Sequence, residues 1–351
     1  MRQNFLLYGA NGYTGRLVAR LAAERGLRPT LAGRDAHALA RLGEELGLAT
    51  RVFSLDDAAA LDAALREVGA VLHCAGPFSH TSRPVADACI RTGAHYLDIT
   101  GEIAVFESLH ARDAEARAAG VTLLPGVGFD VVPSDCLAAH LKRRLPTARR
   151  LTLAIKGTGR VSHGTATTMV ENIHRGGMVR RDGRLTPVPA AWRTRMIDYG
   201  QGPESATTIP WGDVATAFHS TGIPDVEVYA ALPASARMAM KATRALGSLL
   251  ASAPAQRLFK SRIKAQPAGP SDEERARGRS YVWGEVTDDA GGRAASRLTG
   301  PEGYALTSET ALAAVARVLR GEAPAGFQTP SKAFGPDFIL EIEGVEREDL
   351  D

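Results

Sequence analysis

The chain has 351 residues and a net charge of +3, with 44% hydrophobic and 23% charged residues. This length accommodates two domains, and the composition is that of an ordinary globular protein. Its basic residues are dispersed, so the weak positive charge does not indicate a nucleic-acid-binding protein. Cys74, Cys89 and Cys136 form no C-x-x-C pair, which argues against a zinc ribbon, a thioredoxin-like site or a disulfide scaffold.

The N-terminus lacks the pattern of a secretory signal, and no apolar run approaches the ~20 residues that span a bilayer. We therefore expect a cytoplasmic protein without a transmembrane segment. Motifs of zinc proteases, α/β-hydrolases and P-loop NTPases are absent from the sequence. We predict no metal site.

A glycine-rich turn follows the first predicted strand. Residues 4–8 form a short apolar run, G-A-N-G-Y-T-G follows over residues 9–15, and residues 16–22 have a helical pattern. Between a strand and a helix, three glycines allow a tight turn, a close approach of backbone N–H groups to a pyrophosphate, and close helix–strand packing. The helix N-terminus adds partial positive charge. We predict a dinucleotide site, with a purely structural turn as the alternative.

The second predicted strand, residues 28–34, ends where the adenosine ribose of such a cofactor lies. A basic residue there can pair with the 2′-phosphate of NADP, whereas an acidic residue accepts hydrogen bonds from the free 2′-hydroxyl of NAD. We predict that Arg34 binds the 2′-phosphate, which favours NADP over NAD. The alternative is that Asp35 binds the ribose and Arg34 is a surface charge. Asp35 also suits the N-cap of a helix over residues 36–46.

Strands and helices continue to alternate through the first half of the chain. Further strands are predicted at residues 51–55, 70–75, 96–100 and 121–124, and further helices at residues 56–67, 84–92 and 104–119. The strands are apolar enough to be buried on both faces, which predicts an α/β fold with a Rossmann-type doubly wound parallel sheet. A loop at Ala75–Phe78 would pass under the cofactor. The predicted cofactor-binding residues are Gly9, Asn11, Gly12, Tyr13, Thr14, Gly15, Gly33, Arg34, Ala75, Gly76, Pro77 and Phe78.

The second half has a different pattern, with several strands and few crossover helices. Strands are predicted at residues 151–156, 226–231 and 338–342, hairpin turns at residues 181–184 and 288–292, and a helix at residues 307–319. Residues 346–351 are predicted to be a frayed acidic tail. This pattern indicates a second α+β domain with a mixed or antiparallel sheet.

Residues 234–264 are predicted to form a basic amphipathic helix that Pro254 interrupts. Arg237, Lys241 and Arg244 fall on one face, and the other face, or its neighbourhood, carries Met238, Leu246, Leu249 and Leu250. Such a helix can lie on a membrane or cover a lipid-like substrate. The alternative is an ordinary surface helix with a solvated face.

Candidate catalytic groups are sought at the carboxyl ends of the later strands, because α/β folds place their ligands there. No tyrosine has a lysine four residues later, so the short-chain dehydrogenase solution is absent. We predict Tyr96, Asp98 and Asp130 as catalytic candidates, with Glu102 beside them. The alternatives are a packed aromatic at Tyr96 and loop or cap carboxylates at Asp98 and Asp130. His163 is a further candidate proton donor, with polar surface as the alternative for a lone loop histidine.

Five motifs in one order make the first half recognisable. They occupy residues 9–15, 32–34, 74–78, 94–102 and 125–135, and residues 326–330 and 333–335 add to them. Together they resemble the saccharopine dehydrogenase-like oxidoreductases, and among these the short members called trans-acting enoyl reductase family proteins. The middle of the chain matches that family only in scattered places, such as residues 209–213.

The resemblance implies a Rossmann domain over residues 1–130, a substrate or dimerisation domain over residues 131–304, and a segment over residues 305–351 that returns to the first domain. It implies hydride transfer between NADP and a carbonyl, imine or enoyl substrate, either a small molecule or an acyl chain. A non-catalytic NADP-binding redox sensor and a trans-acting enoyl reductase for acyl or polyketide chains are the alternatives. A homodimer and peripheral lipid contact are further expectations.

Overall fold

Strands and helices alternate up to residue 124 of the computed structural model, and long strands dominate the part that follows. The structure describes residues 3–157, 159–172, 174–250 and 252–350, without the side chains of residues 246–249. The strands are β1 (Phe5–Tyr8), β2 (Thr30–Gly33), β3 (Thr50–Val52), β4 (Ala70–His73), β5 (His95–Asp98), β6 (Thr122–Leu124), β7 (Arg150–Gly157), β8 (Gly177–Arg181), β9 (Arg184–Val188), β10 (Thr194–Asp198), β11 (Pro203–Thr208), β12 (Asp225–Ala231), β13 (Arg279–Thr287), β14 (Arg293–Pro301), β15 (Gly326–Phe327) and β16 (Glu346–Leu350).

The helices follow the same order along the chain. They are α1 (Tyr13–Glu24), α2 (Ala36–Leu46), α3 (Ala58–Leu65), α4 (Phe78–Thr92), α5 (Ile103–His110), α6 (Asp113–Ala118), α7 (Val132–Arg144), α8 (His163–Asn172), α9 (Asp213–Thr221), α10 (Ala234–Leu250), α11 (Ala253–Lys264), α12 (Asp272–Arg277), α13 (Gly303–Leu319) and α14 (Pro330–Phe334), with a 3-10 helix at Phe338–Glu341. Among the described residues, none of these helices is long and apolar enough to cross a membrane.

The first compact unit contains residues 1–132 and 304–335. Its seven strands lie in the order β15-β6-β5-β4-β1-β2-β3, and every pair is parallel. All residues of β1 and β4 are buried, so both faces of the sheet are covered, as the apolar strands predicted. The chain runs outward from β1 to β3 on one side and from β4 to β6 on the other. The predicted α/β fold is confirmed, and the sheet has a switch point between β1 and β4.

Two helices of the first unit differ from their predicted bounds. α4 begins at Phe78 rather than at residue 84, and Pro84 lies inside it. The reason is a tertiary contact, because the Glu102 carboxylate accepts hydrogen bonds from the first backbone N–H groups of this helix. The helix predicted over residues 104–119 is two helices, α5 and α6, because the backbone turns at residues 111–112.

The second unit contains residues 133–303 and 336–351. Its sheet runs β10-β11-β12-β7-β13-β14-β16, with β8 and β9 attached to β12. Only β7 and β12 are parallel among the described pairs, so the predicted mixed sheet is confirmed. Both predicted hairpins are present, as β8–β9 and β13–β14. In the first hairpin, Asp182 and Gly183 have φ of 47° and 74°, the left-handed pair that a tight two-residue turn requires.

The C-terminal segment divides between the two units instead of returning whole to the first, because only residues 304–335 belong there. The strand predicted at residues 338–342 is wrong, since residues 338–341 form a 3-10 helix. The predicted frayed tail is also wrong, since β16 pairs with β14. Its acidic side chains have partners across the sheet: Glu348 forms an ion pair with Arg297, and Asp349 accepts a hydrogen bond from the Ser296 hydroxyl.

The predicted basic helix is two helices, α10 and α11, and Pro254 lies in the first turn of the second. Met238, which the sequence placed on or near the apolar face, is exposed. Arg237 and Arg244 hydrogen-bond backbone carbonyls of the same unit. The side chains of Leu246 and Leu249, which the sequence placed on or near the same face, lie outside the described residues.

Candidate functional site

The predicted cofactor residues meet at the carboxyl edge of the first sheet. β1, β2 and β4 are neighbours, and Tyr8 lies in register with Ala32 on one side and His73 on the other. Eleven of the twelve predicted positions, from Gly9 to Phe78, lie in the segments that follow these three strands, and Gly33 is the last residue of β2. The parallel arrangement therefore brings the glycine turn, Arg34 and the loop after β4 to one edge, at the switch point where doubly wound sheets bind nucleotides.

The glycine turn is a cradle that side chains would fill. Gly9 has a φ of +83°, and a Cβ on it would lie 2.8 Å from the backbone nitrogen of Ala75. A Cβ on Gly15 would overlap the carbonyl oxygen of Gly9. Gly12 is the exposed N-cap of α1, and a glycine there places no side chain over the start of this helix. Its first N–H groups therefore have room to bind a pyrophosphate, and the residues fit a dinucleotide.

A buried glycine and an exposed arginine lie next to each other at the end of β2. Gly33 is buried, and a Cβ there would lie 3.1 Å from the side-chain oxygen of Asn11. Arg34 is exposed directly after it. Burial raises the pKa of Tyr8, and the positive charge of Arg34 opposes that shift. Asp35 accepts a hydrogen bond from the Ala38 N–H at 3.0 Å and caps α2, so its carboxylate has the predicted structural role.

A buried histidine holds the loop after β4, and sequence reasoning missed it. His73 Nε2 lies 2.9 Å from Thr81 Oγ1, and the Thr81 hydroxyl donates to the carbonyl of Ala75 at 2.8 Å. Burial lowers the pKa of His73 to about 3, so the ring is neutral at physiological pH. Nothing in the spacing of the two residues signals this contact, because α4 begins earlier than its sequence pattern suggests.

Glu102, which follows the carboxyl end of β5, supports the same loop. Its two carboxylate oxygens accept hydrogen bonds from the backbone N–H groups of Phe78 at 2.7 Å and Ser79 at 3.1 Å. A carboxylate at this end of α4 also matches the sign of the helix dipole. Gly76 is exposed next to this capped helix start, beside the Phe78 ring. Glu102 and His73 therefore fix the position of this loop. Its exposed part consists of backbone and a small apolar surface.

Tyr96 and Asp98 form a buried network. Both are 0% exposed, and the Tyr96 hydroxyl donates to Asp98 Oδ2 at 2.5 Å. Asp98 Oδ1 accepts the backbone N–H groups of Thr100 at 3.0 Å and Gly126 at 2.9 Å. Burial raises the pKa of Asp98 to about 6, although all three hydrogen bonds act to lower it. The network ties the end of β5 to the turn after β6.

Asp130 differs from the other two catalytic candidates because it is only half-buried. Its Oδ2 lies against Gly101, where a Cβ would come within 2.8 Å of it. Burial raises the pKa of Asp130 to about 7. A carboxyl group with that pKa exchanges protons near neutral pH, which suits a general acid or base. By contrast, burial raises the pKa of the Cys74 thiol, with the Asp98 charge adding to it, so this cysteine is a thiol and not a thiolate nucleophile.

A comparison with known protein families finds a match in the first unit. Residues 5–124 match the family model described as the saccharopine dehydrogenase NADP binding domain. A trans-acting enoyl reductase from Mycobacterium leprae is 35% identical over 150 residues, which cover 40% of this chain and 36% of that protein. A saccharopine dehydrogenase-like oxidoreductase from Rattus norvegicus is 31% identical over 160 residues, which cover 40% of this chain and 37% of that protein. The similarity thus spans little more than a third of each relative.

The fold of the whole chain also has a solved counterpart. Apo saccharopine dehydrogenase (L-Glu forming) from Saccharomyces cerevisiae matches with a TM-score of 0.69 and covers 99% of this chain and 100% of that one. The two sequences are 14% identical, so this likeness shows the shared α/β fold.

Proposed function

We propose that this chain, whose residues 5–124 match the saccharopine dehydrogenase NADP binding domain, is an NADP-dependent oxidoreductase. The observation that carries the proposal is the close-packed glycine cradle beside Arg34 at the switch point of the sheet. A nicotinamide cofactor supplies or accepts a hydride when bound. The chain's own residues have to bind it, exclude water and move a proton.

Arg34 accounts for the preference for NADP. Its guanidinium is exposed at the end of β2, where the 2′-phosphate of the adenosine ribose lies in folds of this type. Asp35 is engaged as the cap of α2, which supports Arg34 rather than Asp35 as the ribose-side contact. A guanidinium can hold a phosphate with two charge-assisted hydrogen bonds.

Asp130 is our candidate for the proton-transfer group. It is half-buried at the carboxyl edge of the sheet, with a pKa near 7. Tyr96 and Asp98 are fully buried, so we assign them a positioning role: they hold the turn at Gly126 that leads toward Asp130. The substrate would be a carbonyl, imine or enoyl compound. The similarity to the trans-acting enoyl reductase supports testing an enoyl thioester first.

The test is a fluorescence titration of the wild type and Arg34→Ala with NADPH and NADH. A lost charge-assisted contact is worth about 1.5–3 kcal/mol, so the Kd for NADPH should rise about 10–100-fold in the variant. NADH affinity should stay unchanged, and so should NADPH affinity in Arg41→Ala, which removes an exposed arginine further along α2.

Each other outcome has a definite meaning. Absence of binding by both nucleotides would overturn the proposal. Equal affinity for both, unaffected by Arg34→Ala, would transfer the ribose contact to Asp35 and remove the NADP preference. Tight NADPH binding without turnover of any carbonyl, imine or enoyl substrate would make the protein a redox sensor rather than an enzyme.

A further inference from the structure

The two helices α10 and α11 carry an unusual charge distribution, and we refer to them as the basic helix pair. The segment of residues 234–264 that contains them has seven basic residues and no acidic residue. The whole chain is nearly balanced, with 42 basic and 39 acidic residues. The positive charge is therefore concentrated here without the carboxylates that accompany it elsewhere.

Three of the seven bases stabilise the second unit. Arg237 donates to the carbonyl of Leu232 at 2.7 Å, and Arg244 donates to the carbonyls of Ala190 and Ala191 at 2.8 and 2.9 Å. Lys260 pairs with Glu171 of α8 at 2.5 Å. These contacts hold both helices to the rest of the unit, so the pair is a fixed surface and not a loose extension.

The other four basic residues form no stabilising contact of this kind within the described residues. Lys241, Arg257, Arg262 and Lys264 are exposed, and within the described ranges no carboxylate lies within ion-pair distance of any of them. An arginine or lysine normally finds an acidic neighbour on a mixed surface, as Arg275 does with Asp272 in α12. The basic helix pair therefore presents unneutralised positive charge.

Each helix also exposes a large apolar side chain on the same stripe as one of these bases. Met238 is 65% exposed and Leu258 is 53% exposed. Lys241 follows Met238 by three residues and Arg262 follows Leu258 by four, which are spacings that place side chains on one helical face. The remaining exposed positions of both stripes are small, such as Ala242, Ala245, Ser261 and Ala265. No described residue of α11 is buried.

From this surface we infer that the basic helix pair binds reversibly to membranes containing anionic phospholipid, a property beyond the proposed function. Lysine and arginine would contact lipid phosphates, while Met238 and Leu258 would enter the headgroup boundary. The small side chains between them let each helix lie flat on the surface. The absence of acidic residues removes the repulsion that an anionic membrane would otherwise produce.

The test is co-sedimentation of the full chain with vesicles of phosphatidylcholine alone or mixed with phosphatidylglycerol. We expect binding only to the mixed vesicles, and weakening when NaCl rises from about 0.1 M to about 0.5 M, because the charges are exposed and screened. Each exposed base contributes about fivefold to the partition coefficient. The variant Lys241→Glu/Arg262→Glu should therefore lose at least about 20-fold in binding.

A matched control separates a local surface from net charge. Arg66→Glu/Arg184→Glu makes the same change in net charge at exposed arginines outside the basic helix pair, and it should bind mixed vesicles like the wild type. Met238→Ser/Leu258→Ser should weaken binding without changing its dependence on anionic lipid. An NADPH titration of every variant should be unchanged, so a failure of the lipid inference stays distinct from a failure of the cofactor site.

Two results would overturn the inference. One is equal vesicle binding by the wild type and Lys241→Glu/Arg262→Glu, and the other is no binding of the wild type to mixed vesicles at about 0.1 M salt. If the wild type instead binds a purified acidic carrier protein through the same two bases and ignores vesicles, the surface is a protein-docking site and the lipid assignment is wrong.

Discussion

At the scale of single residues, the glycine turn illustrates how one missing Cβ can decide a function. Gly9 and Gly93 both have positive φ, at +83° and +75°. A Cβ on Gly9 would meet Ala75 and Cys74 within 3 Å, whereas a Cβ on Gly93 would meet nothing within 4 Å. A side chain at either position would strain the left-handed backbone. Only at Gly9 would it also clash with neighbouring atoms.

We expect Gly93→Ala to lower the free energy of unfolding by about 1 kcal/mol, the usual cost of a left-handed non-glycine residue. NADPH binding should be retained in that variant. Gly9→Ala should lose more stability and should lose NADPH binding, because the turn must move away from β4. Chemical denaturation and NADPH titration measure the two effects. Normal NADPH affinity in Gly9→Ala would contradict the assignment of the turn.

Asp130 provides a pH-dependent prediction at the same scale. Its folded-state pKa of about 7 lies above its ordinary value of 3.8, so the folded protein binds the proton more tightly than the unfolded chain. The Asp130 contribution to stability is present at low pH and is lost as the pH rises from about 4 to about 7.

In Asp130→Asn, the free energy of unfolding should fall less steeply over that interval than in the wild type. Urea denaturation at several pH values measures the slope. If Asp130 is the general acid, the rate of substrate reduction by the wild type should also decline above a pH of about 7. Asp130→Asn should bind NADPH normally and reduce substrate slowly. Identical pH profiles of stability in the two proteins would show that Asp130 does not titrate as proposed.

At the scale of elements, α4 shows how a helix start can depend on a residue from another strand. The Glu102 carboxylate satisfies the backbone N–H groups of Phe78 and Ser79, which have no carbonyl partner within the helix. A substitution of Glu102 therefore affects both α4 and the loop after β4, which is predicted to lie under the cofactor.

We expect Glu102→Ala to lower the free energy of unfolding by about 2 kcal/mol, because two N–H groups lose a charged acceptor. Hydrogen exchange at Phe78 and Ser79 should accelerate. Glu44→Ala, which removes an exposed glutamate of α2, is the control and should leave both quantities unchanged. Unchanged exchange in Glu102→Ala would show that the cap does not hold α4.

At the scale of the whole molecule, the last strand connects the end of the chain to the second sheet. β16 pairs with β14 over five residues. Arg347 of this strand and Arg143 of α7 both bind Asp337, which precedes β16 in the chain. Their hydrogen bonds lower the pKa of Asp337 to about 2, with that of Arg143 the larger cause. This segment belongs to the second unit, whereas the glycine turn and Arg34 belong to the first.

A chain truncated after Val345 should therefore unfold at a lower temperature, by about 2–4 °C for each kcal/mol lost. Its NADPH affinity should equal that of the full chain. Thermal unfolding and NADPH titration test both parts. A melting temperature equal to that of the full chain would mean that β16 adds no stability, and a loss of NADPH affinity would mean that the two effects are coupled.

The sequence by itself determined the features that depend on neighbouring residues. Local spacing predicted the glycine turn, the cap at Asp35 and the hairpin at Asp182–Gly183, because each rests on backbone geometry within a few residues. Apolar strands alternating with amphipathic helices predicted the parallel sheet, and a parallel sheet brings the strand ends to one edge. The location of the cofactor residues followed from that.

Only the tertiary structure decided which residues meet across long stretches of chain. The start of α4 depends on Glu102, the loop at Ala75 on the contact between His73 and Thr81, and β16 on charges of β14. Burial also decided between the three catalytic candidates, because it leaves Asp130 partly accessible and encloses Tyr96 and Asp98 completely. Desolvation and long-range hydrogen bonds depend on the packed environment, and residue spacing carries no information about either.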